Sequence, residues 1–262
     1  RVLSAFAELP GVACAAICGS TAEGCADELS DLDSTMYYET LPTTEAIDAV
    51  RQRLGAGPVL WQHGAPADGG FAFAFKLEGV EVQVGHTTVA QWESEIEDVL
   101  AGKEPGSPLH KAMYGTLTSM AVVGRQRLDG WKQRIAGYSD PLRRAMVEHH
   151  LKFFPIWRHA ERLRRRNAEL WFRQALVEAS FNLLGVLAGL NRMYFTSFQF
   201  KRARGFEAGL AIAPVRLMDR LEGLWQIDAA AAAMRDLVAE TVDLFARELP
   251  SIDLTQVRRA LG

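Results

Sequence analysis

Asp31 and Asp33 stand one residue apart at the head of an apolar run, Leu32 to Tyr38, that reads as a strand. Alternation along a strand puts both carboxylates on one face, where they repel at neutral pH unless a cation stands between them. Hard divalent ions that also hold phosphate oxygens are the partner such a pair calls for. Upstream, the turn Gly19-Ser20 follows a second apolar strand, Val12 to Ile17. Gly19 lets the backbone approach an anion closely, and Ser20 offers a hydroxyl and a helix-start amide. Taken singly, Ser20 with Glu23 also fits a capping box, and Ser30 to Asp33 a polar turn. The conjunction of strand, turn, spacing and paired carboxylates is what reads as a nucleotide site.

Residues 19–33, with Gly19-Ser20, ten residues and then Asp31-x-Asp33, resemble the signature of the DNA polymerase β-like nucleotidyltransferase superfamily. Ala22, Gly24 and Ser30 also sit where small-molecule members of that superfamily usually carry Ala, Gly and Ser. The resemblance implies that Gly19 and Ser20 bind a nucleotide's triphosphate, that Asp31 and Asp33 hold two Mg2+ ions, and that a third carboxylate lies on a neighbouring strand. Glu81 is the candidate, alternating with Val80, Val82 and Val84, and its expected role is metal ligand or general base. Many relatives carry Asp at that place, and periodicity alone favours a solvent-facing Glu81, an order that the resemblance reverses. A second stretch, Asn191-Arg192-Met193-Tyr194-Phe195 followed by Lys201, is similar to one in antibiotic-type nucleotidyltransferases with a C-terminal helical domain. By that similarity Tyr194 and Lys201 touch the nucleotide, Lys201 as a point charge on phosphate. Read without it, Tyr194 and Phe195 are large residues ending a buried helix.

The elements that must position these residues are expected on either side of a break at Gly102 to Pro108. Before it come the helix Thr43 to Leu54, a hairpin of Gly70 to Lys76 and Val80 to Val84 turning at Glu78-Gly79, and a helix from Val89 to Leu100. Beyond it nearly everything reads as helix, with a start at Asp140-Pro141 and a break near Pro155 or Asn167. The expected fold is therefore α+β: a small mixed-sheet nucleotidyltransferase core over 1–105, then an all-α helical bundle over 106–262.

Composition narrows the classes. The chain has 262 residues, 48% of them hydrophobic, which suits a globular enzyme of two domains. No apolar run reaches membrane-spanning length, and Arg1 to Pro10 lacks the pattern of a secretory signal. Cys14, Cys18 and Cys25 are few and odd in number, so a reducing cytoplasm is expected rather than a disulfide framework. Residues 1–105 carry 5 Lys+Arg against 17 Asp+Glu, and the remainder 24 against 15. Two such halves should attract and form a cleft with one acidic and one basic wall. Arg158, Arg162 and Arg164 to Arg166 invite a nucleic-acid reading, but Glu161 and Glu169 beside them and a sequence pI of 6.1 argue for a solvated helix face. The expected reaction is Mg2+-dependent transfer of a nucleoside monophosphate from an NTP, with ATP the expected donor, to a hydroxyl of an antibiotic- or natural-product-like small molecule. The expected state is a monomer or homodimer. A protein or RNA acceptor and a catalytically silent regulatory module remain the alternatives.

Overall fold

A computed structural model describes residues 1–225 and 227–261. The chain divides into two units, one of residues 1–98 and 112–137 and the other of residues 99–111 and 138–262.

The first unit is built on a six-stranded mixed sheet in the order β3-β4-β5-β2-β1-β6. Its strands are β1 (Val12–Ile17), β2 (Leu32–Tyr38), β3 (Val59–Ala65), β4 (Gly70–Leu77), β5 (Val80–Thr88) and β6 (Met120–Val123). Five helices accompany it: α1 (Val2–Phe6), α2 (Gly19–Ala22), α3 (Thr44–Arg53), α4 (Val89–Leu100), whose last turn crosses into the second unit, and α6 (Arg125–Ala136). The expected ranges of β1, β2 and α4 are those observed. The hairpin between β4 and β5 turns at Glu78-Gly79, both at positive φ, as a two-residue loop whose backbone twist matches the strands.

Alternation sorts the sheet's two faces. Phe71, Phe73, Phe75, Val82, Val84, Met36 and Tyr38 point one way, against Phe6 of α1 and Ile47 and Val50 of α3, and form this unit's core. His86 lies in that core with Nδ1 2.9 Å from the Tyr38 hydroxyl, and burial pushes its pKa down to about 3. On the opposite face Tyr37 packs against Trp92 of α4 and Trp131 of α6. The rest of that face, on β2 and β5, carries the acids.

Two strands escape the sequence pattern. β3 is exposed along nearly all its length and shows no apolar alternation, because it is an edge strand extending past the core. β6 lies beyond the expected boundary at residue 105, in the half expected to be a helical bundle, and pairs antiparallel with β1. Residues 112–137 thus return to the first unit. Gly124 closes that return at φ +73, where a Cβ would press on the Ala13 carbonyl and sit 2.9 Å from the Cys14 Cα.

The second unit holds α5 (Leu109–Thr118) in its first turn, then α7 (Asp140–His150), α8 (Ile156–Arg165), α9 (Glu169–Leu190), α10 (Ala203–Ala208), α11 (Leu217–Glu222), α12 (Ile227–Glu248) and α13 (Thr255–Leu261). The stretch expected to run from Pro141 to Asn191 breaks at both Pro155 and Asn167, the latter at φ +52. A further interruption separates α10 from α11. A mixed sheet with helices, followed by a helical unit, is the α+β class expected. Among the described residues no helix is long and apolar enough to cross a membrane.

Candidate functional site

The turn after β1 sets the site's shape. Cys18 donates its backbone N–H to the Asp33 carbonyl (2.9 Å), so β1 and β2 stay paired up to the turn. Gly19 then takes φ +62, a conformation costly for any residue with a Cβ. Space excludes a side chain as well: a methyl there would fall inside the Asp33 Oδ2 and lie 3.1 Å from its Cβ and Cγ. The Asp33 carboxylate is therefore folded against the bare backbone of the Gly-Ser turn. α2 is a single turn whose N-cap is Cys18, so the capping-box reading of Ser20 and Glu23 does not describe this structure. The Ser20 carbonyl accepts from the Cys25 N–H (3.0 Å), and its hydroxyl has no hydrogen-bond partner among the described residues.

Beside this turn, β2 and β5 run parallel with Asp33 opposite Gln83 and Leu32 opposite Val82. That register brings Asp31, Asp33, Glu81 and Gln83 to one face. The Gln83 amide nitrogen donates to Asp31 Oδ2 (2.6 Å) and to Glu81 Oε1 (3.2 Å), holding two carboxylates within reach of one side-chain amide. Glu81 Oε1 also accepts from the Trp61 indole N–H on β3 (3.2 Å). Glu81 thus lies on the same face as the aspartates, with Gln83 between them. Among the described residues no group of three or more His, Cys, Asp or Glu side chains is gathered as a ready-made metal cage. The donors present are carboxylate oxygens, the hard ligands that Mg2+ takes, and Asp31 and Asp33 fit that ion on donor chemistry and on the close approach of Asp33 to the turn.

Three neighbours were not singled out in the sequence. Gln83 had no signal beyond strand alternation, and Trp61 lies on β3, which has no alternation to mark it. Lys132 of α6 donates to the Ser119 carbonyl (2.6 Å) and stands in electrostatic reach of the Cys18 thiol, as does Asp33. Its place depends on β6 and α6 returning to the sheet. Loss of solvent pushes the Cys14 and Cys18 thiols up to about 11, so both are neutral near pH 7.

No family model matches the chain, and no curated protein matches it. Among solved structures it is similar to a nucleotidyltransferase-like protein from Exiguobacterium sibiricum, with a TM-score of 0.46 and 11% identity over 99% of this chain and 86% of that one. Overlap at that level fixes no activity, which rests on the side chains themselves.

Tyr194 and Lys201 belong to the second unit. Tyr194 is only 4% exposed, its ring 5.1 Å from that of Tyr138 and 5.8 Å from that of His110, and burial raises its phenol pKa. It is placed as a packing residue of the helical unit. Asn191 donates to the Leu187 and Ile212 carbonyls and accepts from the Ile212 N–H, while Arg192, at φ +56, donates to the Tyr138 carbonyl (2.7 Å) and pairs with Asp140. The Asn-Arg pair is thus a backbone latch for the segment that follows. That segment, the 3-10 turn Ser197–Arg202, presents Lys201 with its Nζ 4.3 Å from the Phe198 ring centre; Lys111 Nζ is 3.7 Å from the same ring.

Proposed function

We propose that this protein is a nucleotidyltransferase that moves a nucleoside monophosphate from an NTP to a hydroxyl of a small, antibiotic- or natural-product-like molecule. The observation that carries the reading is the packing of Asp33 against Gly19, next to Asp31. It joins a carboxylate pair to a turn whose backbone is bare, and no packing need of the core calls for either. Asp31 and Asp33 would hold Mg2+, which when bound supplies positive charge to the phosphates and makes the attacking hydroxyl more acidic. Ser20 offers its hydroxyl to the phosphate oxygens. Glu81, oriented by Trp61 and Gln83, accepts the acceptor's hydroxyl proton or joins the aspartates as a ligand. The hydroxyl oxygen forms a bond to the α-phosphorus, the bond to the bridging α–β oxygen breaks, and pyrophosphate leaves. Lys201 of the helical unit is the candidate for neutralising phosphate charge.

A thermal-shift panel with ATP, GTP, CTP and UTP, each with and without Mg2+, tests the reading beside Asp33→Asn, which removes charge at constant volume. The expected result is a Mg2+-dependent stabilisation by ATP that the variant loses. An equal response in Asp33→Asn, or no response to any nucleotide in the wild type, overturns it.

A further inference from the structure

α8 carries the arginines that composition assigns to a solvated helix face, and its packing shows what stands beside them. Ile156 and Leu163 are buried, and the Trp157 indole donates to the Ala260 carbonyl of α13 (3.0 Å), so one side of α8 is fixed inward. Residues 152–173 hold 7 Lys+Arg against 2 Asp+Glu. Glu161 pairs with Arg164 and Arg165, and Glu169 pairs with Arg173. Among the described residues that leaves Lys152, Arg158, Arg162 and Arg166 with no carboxylate partner, and the three arginines recur at every fourth residue along one stripe of the helix and its C-cap.

A row of rings adjoins this stripe. Arg162 donates to His159 Nδ1 (2.8 Å), the His159 ring stacks on Phe154 (5.1 Å between centres, 21° between planes), and Phe154 lies 5.5 Å from Trp171 in the first turn of α9. Phe154 is 37% exposed, Trp171 49%, and Leu170 beside it 83%. A solvated helix face has no need of such rings. Exposed rings in a row beside cations that lack carboxylates match a ligand with flat apolar faces and a chain of anions.

We propose that this face of the helical unit binds single-stranded nucleic acid, with a base stacked on Trp171, Phe154 and His159 supporting that ring from behind, and the phosphodiester chain held by Lys152, Arg158, Arg162 and Arg166. The strand must be single, because a duplex stacks its bases on one another and hides their faces from side chains. A lipid surface fits less well: it asks for a continuous apolar side, whereas the apolar side of α8 is turned into the unit. All these residues belong to the helical unit, and the transfer reading stands or falls without them.

The test is fluorescence anisotropy of the full chain with short labelled oligo(U), oligo(A) and oligo(dT), and with an RNA duplex of the same length. Binding of at least one single strand is expected, tighter than that of the duplex. Four phosphate contacts predict a slope of log affinity against log salt of about −3, so binding about 50-fold weaker at about 200 mM than at about 50 mM salt. Replacing Arg158, Arg162 and Arg166 together by Gln should bring the slope to about −0.7. Trp171→Ala should weaken binding about tenfold with the slope unchanged, and Trp171→Phe should recover part of the loss. No binding at about 50 mM salt, a duplex bound as tightly as the single strands, or a Trp171→Ala variant that binds like the wild type overturns the proposal, the last because charge alone would then account for binding. Vesicles of phosphatidylserine and phosphatidylcholine are titrated in parallel. Binding of vesicles without binding of oligonucleotides makes the face a lipid contact and equally overturns it.

Discussion

Gly19→Ala separates what this turn does for the fold from what it does for the site. Gly19 and Gly24 both lie in the left-handed region, at φ +62 and +70. Alanine at either pays the same conformational cost, about 1–2 kcal/mol, or about 3–8 °C in Tm for a unit of this size. The surroundings differ. A methyl at Gly24 meets nothing within 4 Å, whereas one at Gly19 overlaps Asp33 Oδ2 and crowds its Cβ and Cγ at 3.1 Å. The end of an aspartate side chain swings away at little cost, so both variants should fold with similar losses of Tm. Only Gly19→Ala then has Asp33 rotated off the turn. Differential scanning fluorimetry with and without ATP and Mg2+ reads both effects. Saturating ligand at about 100 times its Kd stabilises by about 2.7 kcal/mol, well above the conformational cost. The expected pattern is that increment kept in Gly24→Ala and lost in Gly19→Ala. Equal ATP responses in the two variants would refute the reasoning, because the Gly19–Asp33 packing would then be a feature of the turn alone.

Two further outcomes follow from side chains elsewhere. Burial holds His86 at about 3 and His110 and His150 at about 4, below the ordinary 6.5, so each is neutral in the folded state while the unfolded chain takes up a proton. Their contribution is complete above pH 6.5 and is lost as pH falls toward those folded values, by about 1.4 kcal/mol per histidine per pH unit within the window. Stability to urea should therefore fall between pH 6.5 and 4.5, more steeply for the helical unit, which holds His110, His149 and His150, all pushed down by burial, than for the sheet unit with His86; a flat profile would contradict it. Lys201→Ala should weaken ATP binding more than AMP binding by calorimetry, since a point charge acts most on the ligand with the most phosphates, and equal losses would remove Lys201 from the site.

Local chemistry made much of the first unit legible. β1, β2 and α4 follow from apolar runs bounded by turn residues, and the Glu78-Gly79 hairpin from the two-residue turn it needs. The candidate pair Asp31 and Asp33 follows from strand alternation, a property of the backbone that needs no partner. Tertiary structure decided what depends on pairing between distant strands. The parallel register of β2 on β5 inserts Gln83 between Asp31 and Glu81, and the antiparallel register of β3 on β4 brings Trp61 to Glu81; neither interval in sequence encodes a register. β6 joins the sheet, bringing α6 and Lys132 with it, because β1 leaves an unpaired edge for it, and a four-residue strand between two helices is too short to show a period. The Asn-Arg-x-Tyr-Phe stretch shows the same limit. Its residue types are visible in the chain, but whether Tyr194 faces a ligand or a core is set by Tyr138 and His110, which only the folded helices place around it.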